Sequence, residues 1–193
     1  ALYERIMQQV IEPTVRGLDR DGISYTGFLY VGLMIDRQGS PRVLEYNCRL
    51  GDPETQPIFL RLQSDLAELC GAALAGELHR IKTQWDSRAA LGVVMAAGGY
   101  PFDYATGDII NGLMDTDDSL VKVFHAGTAI DGGRVVTSGG RVLCVTALGD
   151  NVTAAQSTAY QSVHNLHWNQ AYFRPDIGHR AVTREQANGA VSL

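Results

Sequence analysis

Between Val43 and Gln56 the chain sets a carboxylate, an amide, a guanidinium and two further carboxylates in one short stretch: Glu45, Asn47, Arg49, Asp52 and Glu54. Residues 42–47 (Arg42-Val43-Leu44-Glu45-Tyr46-Asn47) read as a strand, and side chains two apart in a strand leave the same face. Glu45 and Asn47 therefore stand side by side. Carboxylate and amide oxygens are hard donors of the kind Mg²⁺ accepts, an ion that takes one or two protein ligands and fills its shell with water and substrate phosphates. Arg49 lies two positions further on and carries a planar fork suited to phosphate or carboxylate. Asp52 and Glu54, in the Gly51–Gln56 loop, are negative groups able to hold an amine. For Glu-x-Asn alone the plain alternative is a polar strand face, because such spacings are common by chance.

These residues need a frame. Leu2, Ile6, Val10 and Val15 recur near helical spacing, and Pro13 falls where a helix kinks or ends. Asp21-Gly22 marks a turn, and the β-rich run Tyr25–Ile35 leads through the polar Asp36–Ser40 turn into the Glu45 strand, so the pair reads as a hairpin. Pro57–Gly76 is helical in period, with Ser64-Asp65 as a possible second start. Residues 77–88 are polar and broken up, and a domain boundary is placed near Ser87. Beyond it come β-like runs at Ala90–Ala96, Val121–His125 and Arg141–Leu148, punctuated by Gly98-Gly99, Gly132-Gly133 and Gly139-Gly140. One helix is expected over Val152–Val163, capped by Asn151 or Thr153 with Ala154, Ala155, Ala159 and Tyr160 inward. A frayed polar tail is expected from about Glu185.

The 193 residues are 45% hydrophobic and 19% charged, a composition that can bury a core. A net charge of −5 offers no broad basic face, which argues against nucleic acid as a partner. No apolar run is long enough to cross a bilayer, and the start lacks a signal-peptide layout, so the chain reads as soluble and cytoplasmic, with no membrane partner. It opens with Ala in the middle of a helical pattern, as a piece of a longer protein would. Cys48, Cys70 and Cys144 have no metal-type spacing and read as reduced thiols buried as small hydrophobes.

Other candidates carry less chemistry. His125 reads as a structural histidine more readily than as a general base, and His164 with His167 as a surface pair more readily than a metal site. The paired glycines serve turns between strands more readily than a ligand. Asn151-Val152-Thr153 is a chance glycosylation sequon, and Trp168, Tyr172 and Phe173 are core or interface aromatics.

The whole string Glu45-Tyr46-Asn47-Cys48-Arg49-Leu50-Gly51-Asp52-Pro53-Glu54-Thr55-Gln56 is far more specific than Glu-x-Asn. It resembles the signature of the glycinamide ribonucleotide synthetase (phosphoribosylamine–glycine ligase) family of the ATP-grasp superfamily. So do Tyr25–Ile35 before it, Gly92–Pro101, His125-Ala126-Gly127-Thr128 and Gly139-Gly140-Arg141-Val142-Leu143. The resemblance implies an α+β fold: residues 1–87 as the end of an ATP-grasp domain, an antiparallel sheet with helices, and residues 88–193 as a small β-rich C-terminal domain. It implies ligation of glycine to 5-phosphoribosylamine with ATP as substrate, through a glycyl phosphate, in purine biosynthesis. Glu45 and Asn47 match the family's Mg²⁺ (or Mn²⁺) ligands; Arg49 as catalytic residue and Asp52 and Glu54 as substrate-binding residues are assigned from their chemistry. Two features depart from the pattern. The upstream strand has Gly32-Leu33-Met34 where many ATP-grasp enzymes add a metal-binding carboxylate, and neither the family's glycine-rich start nor its nucleotide-holding lobe is found here. The chain then corresponds to the carboxy-terminal part of such an enzyme, inactive without the amino-terminal part. The alternatives are another ATP-grasp ligase or carboxylase, which the Gly51–Gln56 loop argues against, and a non-catalytic binding module.

Overall fold

The structure, a computed structural model, describes residues 2–113 and 119–190; residues 191–193 of the expected tail lie outside the described residues. Helices and antiparallel strands are mixed, giving the expected α+β class. The chain forms two compact units, one of residues 1–51 and 64–82, the other of residues 52–63 and 83–193.

The first unit opens with a helical run made of α1 (Leu2–Ile6), a π-turn (Met7–Ile11) and α2 (Glu12–Arg20). Pro13 neither ends nor breaks it. A proline ring in a regular helix collides with the carbonyl four residues back, but the wider π-turn relieves that crowding: the Glu12 amide donates to Met7, five residues back, and Pro13 falls in the first turn of α2. The hairpin of β1 (Tyr30–Ile35) and β2 (Pro41–Asn47) follows. The β-rich run starts its strand only at Tyr30, because Gly27 takes a positive φ of 151° and the Tyr25 hydroxyl donates to the Phe28 carbonyl at 2.7 Å. In the turn, Asp36 Oδ1 accepts from the Gln38 and Ser40 amides. Arg5 donates to the carbonyls of Gln38 and Gly39 at 3.1 and 2.8 Å, and Thr14 meets the Tyr46 hydroxyl at 2.8 Å, so side chains of the helical run hold both ends of the hairpin. Helix α4 (Leu66–Leu74) comes later in the chain but belongs to this unit.

The long helical period after Pro57 resolves into two helices, α3 (Thr55–Arg61) and α4 (Leu66–Leu74). Leu62 turns extended, and Asp65 caps the second start by accepting from the Ala67 and Glu68 amides.

In the second unit, β3 (Ala89–Ala96), β4 (Val121–His125), β7 (Arg141–Gly149) and β8 (Tyr172–Phe173) form an antiparallel sheet in the order β4-β7-β3-β8, while β5 (Thr128–Asp131) and β6 (Arg134–Thr137) make a separate hairpin around Gly132-Gly133. Leu91, Val93 and Met95 alternate into the core, as period-two burial requires. Strand β7 is buried from Val142 through Leu148 on both faces, because α5 (Val152–Asn165) and α3 both pack on β3 and β7. On α5, Ala155, Ala159 and Val163 are buried, whereas the expected Ala154 and Tyr160 are only half-buried.

As far as Ala190 the tail expected to fray is instead helical. Residues His179–Ala190 form α6, and the Glu185 carboxylate accepts from the Val152 and Thr153 amides and the Thr153 hydroxyl, adding to Asn151 as a cap of α5. Those bonds hold the Glu185 carboxyl below its usual range. A polar tail becomes ordered because it satisfies free amides at a helix start. Tyr172, expected in the core or at an interface, is exposed on the short strand β8, so it is not a core residue.

Where the chain leaves and re-enters this unit it is clamped. Leu62 bridges Trp85, the Gln63 amide donates to Gln84, and the Asp86 amide to Arg61. Arg61 returns two bonds to the Asp86 carbonyl at 3.1 and 2.9 Å, and Arg88 grips the Asp86 carboxylate at 2.6 Å. The Arg88 bonds hold the Asp86 carboxyl at about 2. A carboxyl lowered on folding stabilises above its unfolded value of about 3.9 and loses that contribution as pH falls through its folded value. The melting midpoint of Asp86→Asn is therefore expected below that of the parent at pH 5, with the gap closing toward pH 2; thermal denaturation across that range checks it.

Candidate functional site

The hairpin sets Glu45 and Asn47 as their spacing predicts. Glu45 pairs with Gly32 and Asn47 with Tyr30, so both side chains rise on one face, and Asn47 Nδ2 lies 3.1 Å from Glu45 Oε1. The bulge falls beside them: Glu45 faces Gly32 but Val43 faces Leu33, leaving Leu44 unpaired and exposed. Gly32 belongs to the Gly32-Leu33-Met34 stretch in which the resemblance leads one to look for a further carboxylate. A Cβ there would come within 3.0 Å of Glu45 Cγ, so glycine makes room for the Glu45 side chain to lie across the strand.

The donor set fits a hard divalent cation. Half a turn of the Asn47 amide exchanges nitrogen for oxygen, an ambiguity inherent in amides. Two oxygens then stand at the spacing now held by the bond, close to the roughly 3.0 Å edge of an octahedron with bonds of about 2.1 Å. Among the described residues no group of three or more His, Cys, Asp or Glu side chains could hold a metal, so the pair can supply part of a shell only. Arg49 turns back on its own segment, donating to the Leu50 carbonyl at 3.0 Å.

Asp52 and Glu54 belong to the second unit, and Asp52 is already engaged. Arg141, at the start of β7, reaches its carboxylate Oδ2 at 3.1 Å and its carbonyl at 3.4 Å. Glu54 precedes α3 as its N-cap residue, yet its side chain makes no cap bond. Helix α3 is seated at Gly92, where a Cβ would meet Cys144, Thr146 and Pro57 between 3.2 and 3.5 Å. Sequence reasoning gave no role to Arg141 or to Gln56, whose buried side-chain Oε1 has no hydrogen-bond partner among the described residues. The place of Arg141 in the stretch Gly139-Gly140-Arg141-Val142-Leu143, part of the resemblance, was the available signal.

The remaining candidates fall into structural places. His125 Nδ1 lies 3.1 Å from the Thr128 hydroxyl. His164 packs edge-on to Phe173, and His167 pairs with Asn111 through backbone. Gly99 turns the chain at φ 93°, while Gly98 and Gly140 receive Gln170 and the Tyr100 and Tyr104 rings, so these glycines serve turns and packing. Trp168 is buried, as expected.

A family model described as "Phosphoribosylglycinamide synthetase, ATP-grasp (A) domain" matches residues 1–55, and one described as "Phosphoribosylglycinamide synthetase, C domain" matches residues 90–180. The class is thus an ATP-grasp domain joined to the C domain that follows it, and the chain belongs to the phosphoribosylglycinamide synthetase family. A phosphoribosylamine–glycine ligase of Vibrio cholerae is 60% identical over 96% of this chain, and one of Escherichia coli K12 is 58% identical over the same share. The chain spans 43% of the length of each. The crystal structure of a phosphoribosylamine–glycine ligase from Thermotoga maritima superposes with a TM-score of 0.78 at 33% identity, over 91% of this chain and 42% of that one.

The three cysteines are free, but only Cys144 is buried; Cys70 is half-buried and Cys48 is exposed. The expectation of three buried thiols fails at Cys48 because it follows the last residue of β2, where the chain leaves the hairpin. Burial pushes the Cys144 thiol up, and the Asp52 charge adds to that. Thiolate, not thiol, reacts, so in the folded protein a thiol-disulfide reagent is expected to label Cys48 about tenfold or more faster than Cys144. Single-cysteine variants followed by absorbance check the order.

Proposed function

We propose that this chain is the carboxy-terminal part of a ligase that joins glycine to 5-phosphoribosylamine at the expense of ATP, giving glycinamide ribonucleotide, ADP and phosphate. The observation that carries the reading is the Glu45–Asn47 pair, side by side on β2 within the stretch that matches the ATP-grasp domain of the family. The substrates are small molecules, with neither nucleic acid nor membrane as partner. No helix among the described residues is long and apolar enough to cross a membrane, and a cytoplasmic setting goes with the reading.

On this reading Glu45 and Asn47 hold Mg²⁺ or Mn²⁺, which when bound neutralises phosphate charge. Arg49 stabilises the phosphoryl oxygens, since phosphoryl transfer needs charge neutralisation more than covalent help. Asp52 and Glu54 orient the ammonium of glycine or the amine of 5-phosphoribosylamine, the latter being the nitrogen that meets the acyl carbon of the glycyl phosphate. The amine then displaces phosphate and gives up a proton as the amide forms. Residues 1–87 supply the end of the ATP-grasp domain and residues 88–193 the small C-terminal domain.

Among the described residues of the first unit, Val10 is the one buried hydrophobic, while Tyr3, Val15, Phe28, Met34 and Leu44 are exposed. So many exposed apolar side chains fit a unit that further protein covers, which favours the amino-terminal part of the same enzyme as partner over an independent binding module.

The test is ADP release by the protein expressed from its whole gene. ADP is expected only when glycine and 5-phosphoribosylamine are both present; release with a different acid or amine pair, or none at all, overturns the reading. In that protein Glu45→Gln is expected to lower turnover by about a hundredfold and to raise the Mg²⁺ concentration needed for half-activity.

A further inference from the structure

The proposed reading leaves Arg141 unused, although its backbone is held from two sides. Its carbonyl accepts from the Gly127 amide at 2.8 Å, and Arg141 pairs with Ala96 across the sheet. Gly127 and Gly139 lie so close that a Cβ on either would come within 2.7 to 3.1 Å of the other's backbone. Those two glycines come from separate motifs, His125–Thr128 and Gly139–Leu143, and together they clamp the entry to β7. What leaves that clamp is a half-exposed guanidinium that reaches both the carboxylate and the carbonyl of Asp52, 89 residues earlier. The loop from Asp52 to Glu54 is thereby pinned at its start by Arg141 and at its end by α3, seated on the sheet at Gly92.

An exposed ion pair contributes little to stability, so its value lies in orientation. One guanidinium holding both the carboxylate and the carbonyl of a single residue fixes that residue's rotation as well as its place. Oδ2 is taken by Arg141, and Oδ1 carries no hydrogen bond among the described residues. We propose that Arg141 is a positioning residue for the amine site: it holds Asp52 with one carboxylate oxygen free to accept from the ammonium or amine of a substrate. The inference rests on the ligase reading above and deepens it by naming the group that sets Asp52.

The test uses the protein from its whole gene, in steady-state kinetics with ATP, glycine and 5-phosphoribosylamine varied in turn. Arg141→Ala is expected to raise the KM for one of the two amine-bearing substrates by about tenfold while the KM for ATP stays within about twofold. Arg141→Lys, which keeps the charge but not the fork, recovers part of the loss. Asp52→Asn shows the same pattern, and Asp52→Asn with Arg141→Ala is no worse than the more severe single variant, because both changes break one unit. Effects of the two that multiply, or an unchanged KM for both amine substrates in Arg141→Ala, overturn the inference while leaving the ligase reading intact. An inactive parent overturns the ligase reading itself. Where Arg141→Ala does not fold, Arg141→Gln and Arg141→Lys carry the comparison on the same terms.

Discussion

Burial of strand β7 on both faces is the constraint on which the second unit depends. A strand with one solvated face alternates polar and apolar residues, but Val142 through Leu148 are buried without a break, which requires a helix on each side. Helix α5 arrives directly from the end of the strand, with its first amides satisfied by Asn151 and Glu185. Helix α3 arrives from the other direction in sequence and packs over Gly92, where an added Cβ would crowd Cys144 and Thr146 and touch Pro57. The loop that carries Asp52 and Glu54 is the lead-in to α3, so its place follows from how that helix is buried.

The hairpin in the first unit obeys a different rule. Its strands are largely exposed, and its order comes from backbone pairing, the Asp36 turn and the grip of Arg5 and Thr14. The face shared by Glu45 and Asn47 is a matter of strand period alone and would survive much change elsewhere. The extra residue at Leu44 matters because a bulge alters which side chains face one another upstream of the pair while leaving Glu45 opposite glycine. Carboxylate and amide thus share a face with room beside them.

Much of this was legible in the chain. The hairpin, the second helix start at Asp65, strands β3, β4 and β7 and the Asn151 cap are local events, decided by period, turn residues and capping groups within a few positions. The misreadings share a cause. Pro13 was read by the rule for a regular helix, whereas a π-turn upstream removes the clash. The tail from Glu185 looked frayed because its partners, the amides of Val152 and Thr153, lie more than 30 residues earlier. Strands β5 and β8 are too short for their own pattern to announce them.

The sequence by itself determined the chemistry on offer: hard oxygen donors two apart on a strand, a guanidinium fork two residues on, and carboxylates in a glycine-bounded loop. Those follow from residue type and a period of two, which need no knowledge of distant contacts. Tertiary structure alone decided that Asp52 answers to Arg141, that Gly92 seats the helix behind the loop, and that Gly127 and Gly139 lock the strand from which Arg141 reaches. The physical reason is that an ion pair and a close backbone approach depend on where the folded chain returns, and hydrophobic burial of β7 sets that return from residues far outside the motif.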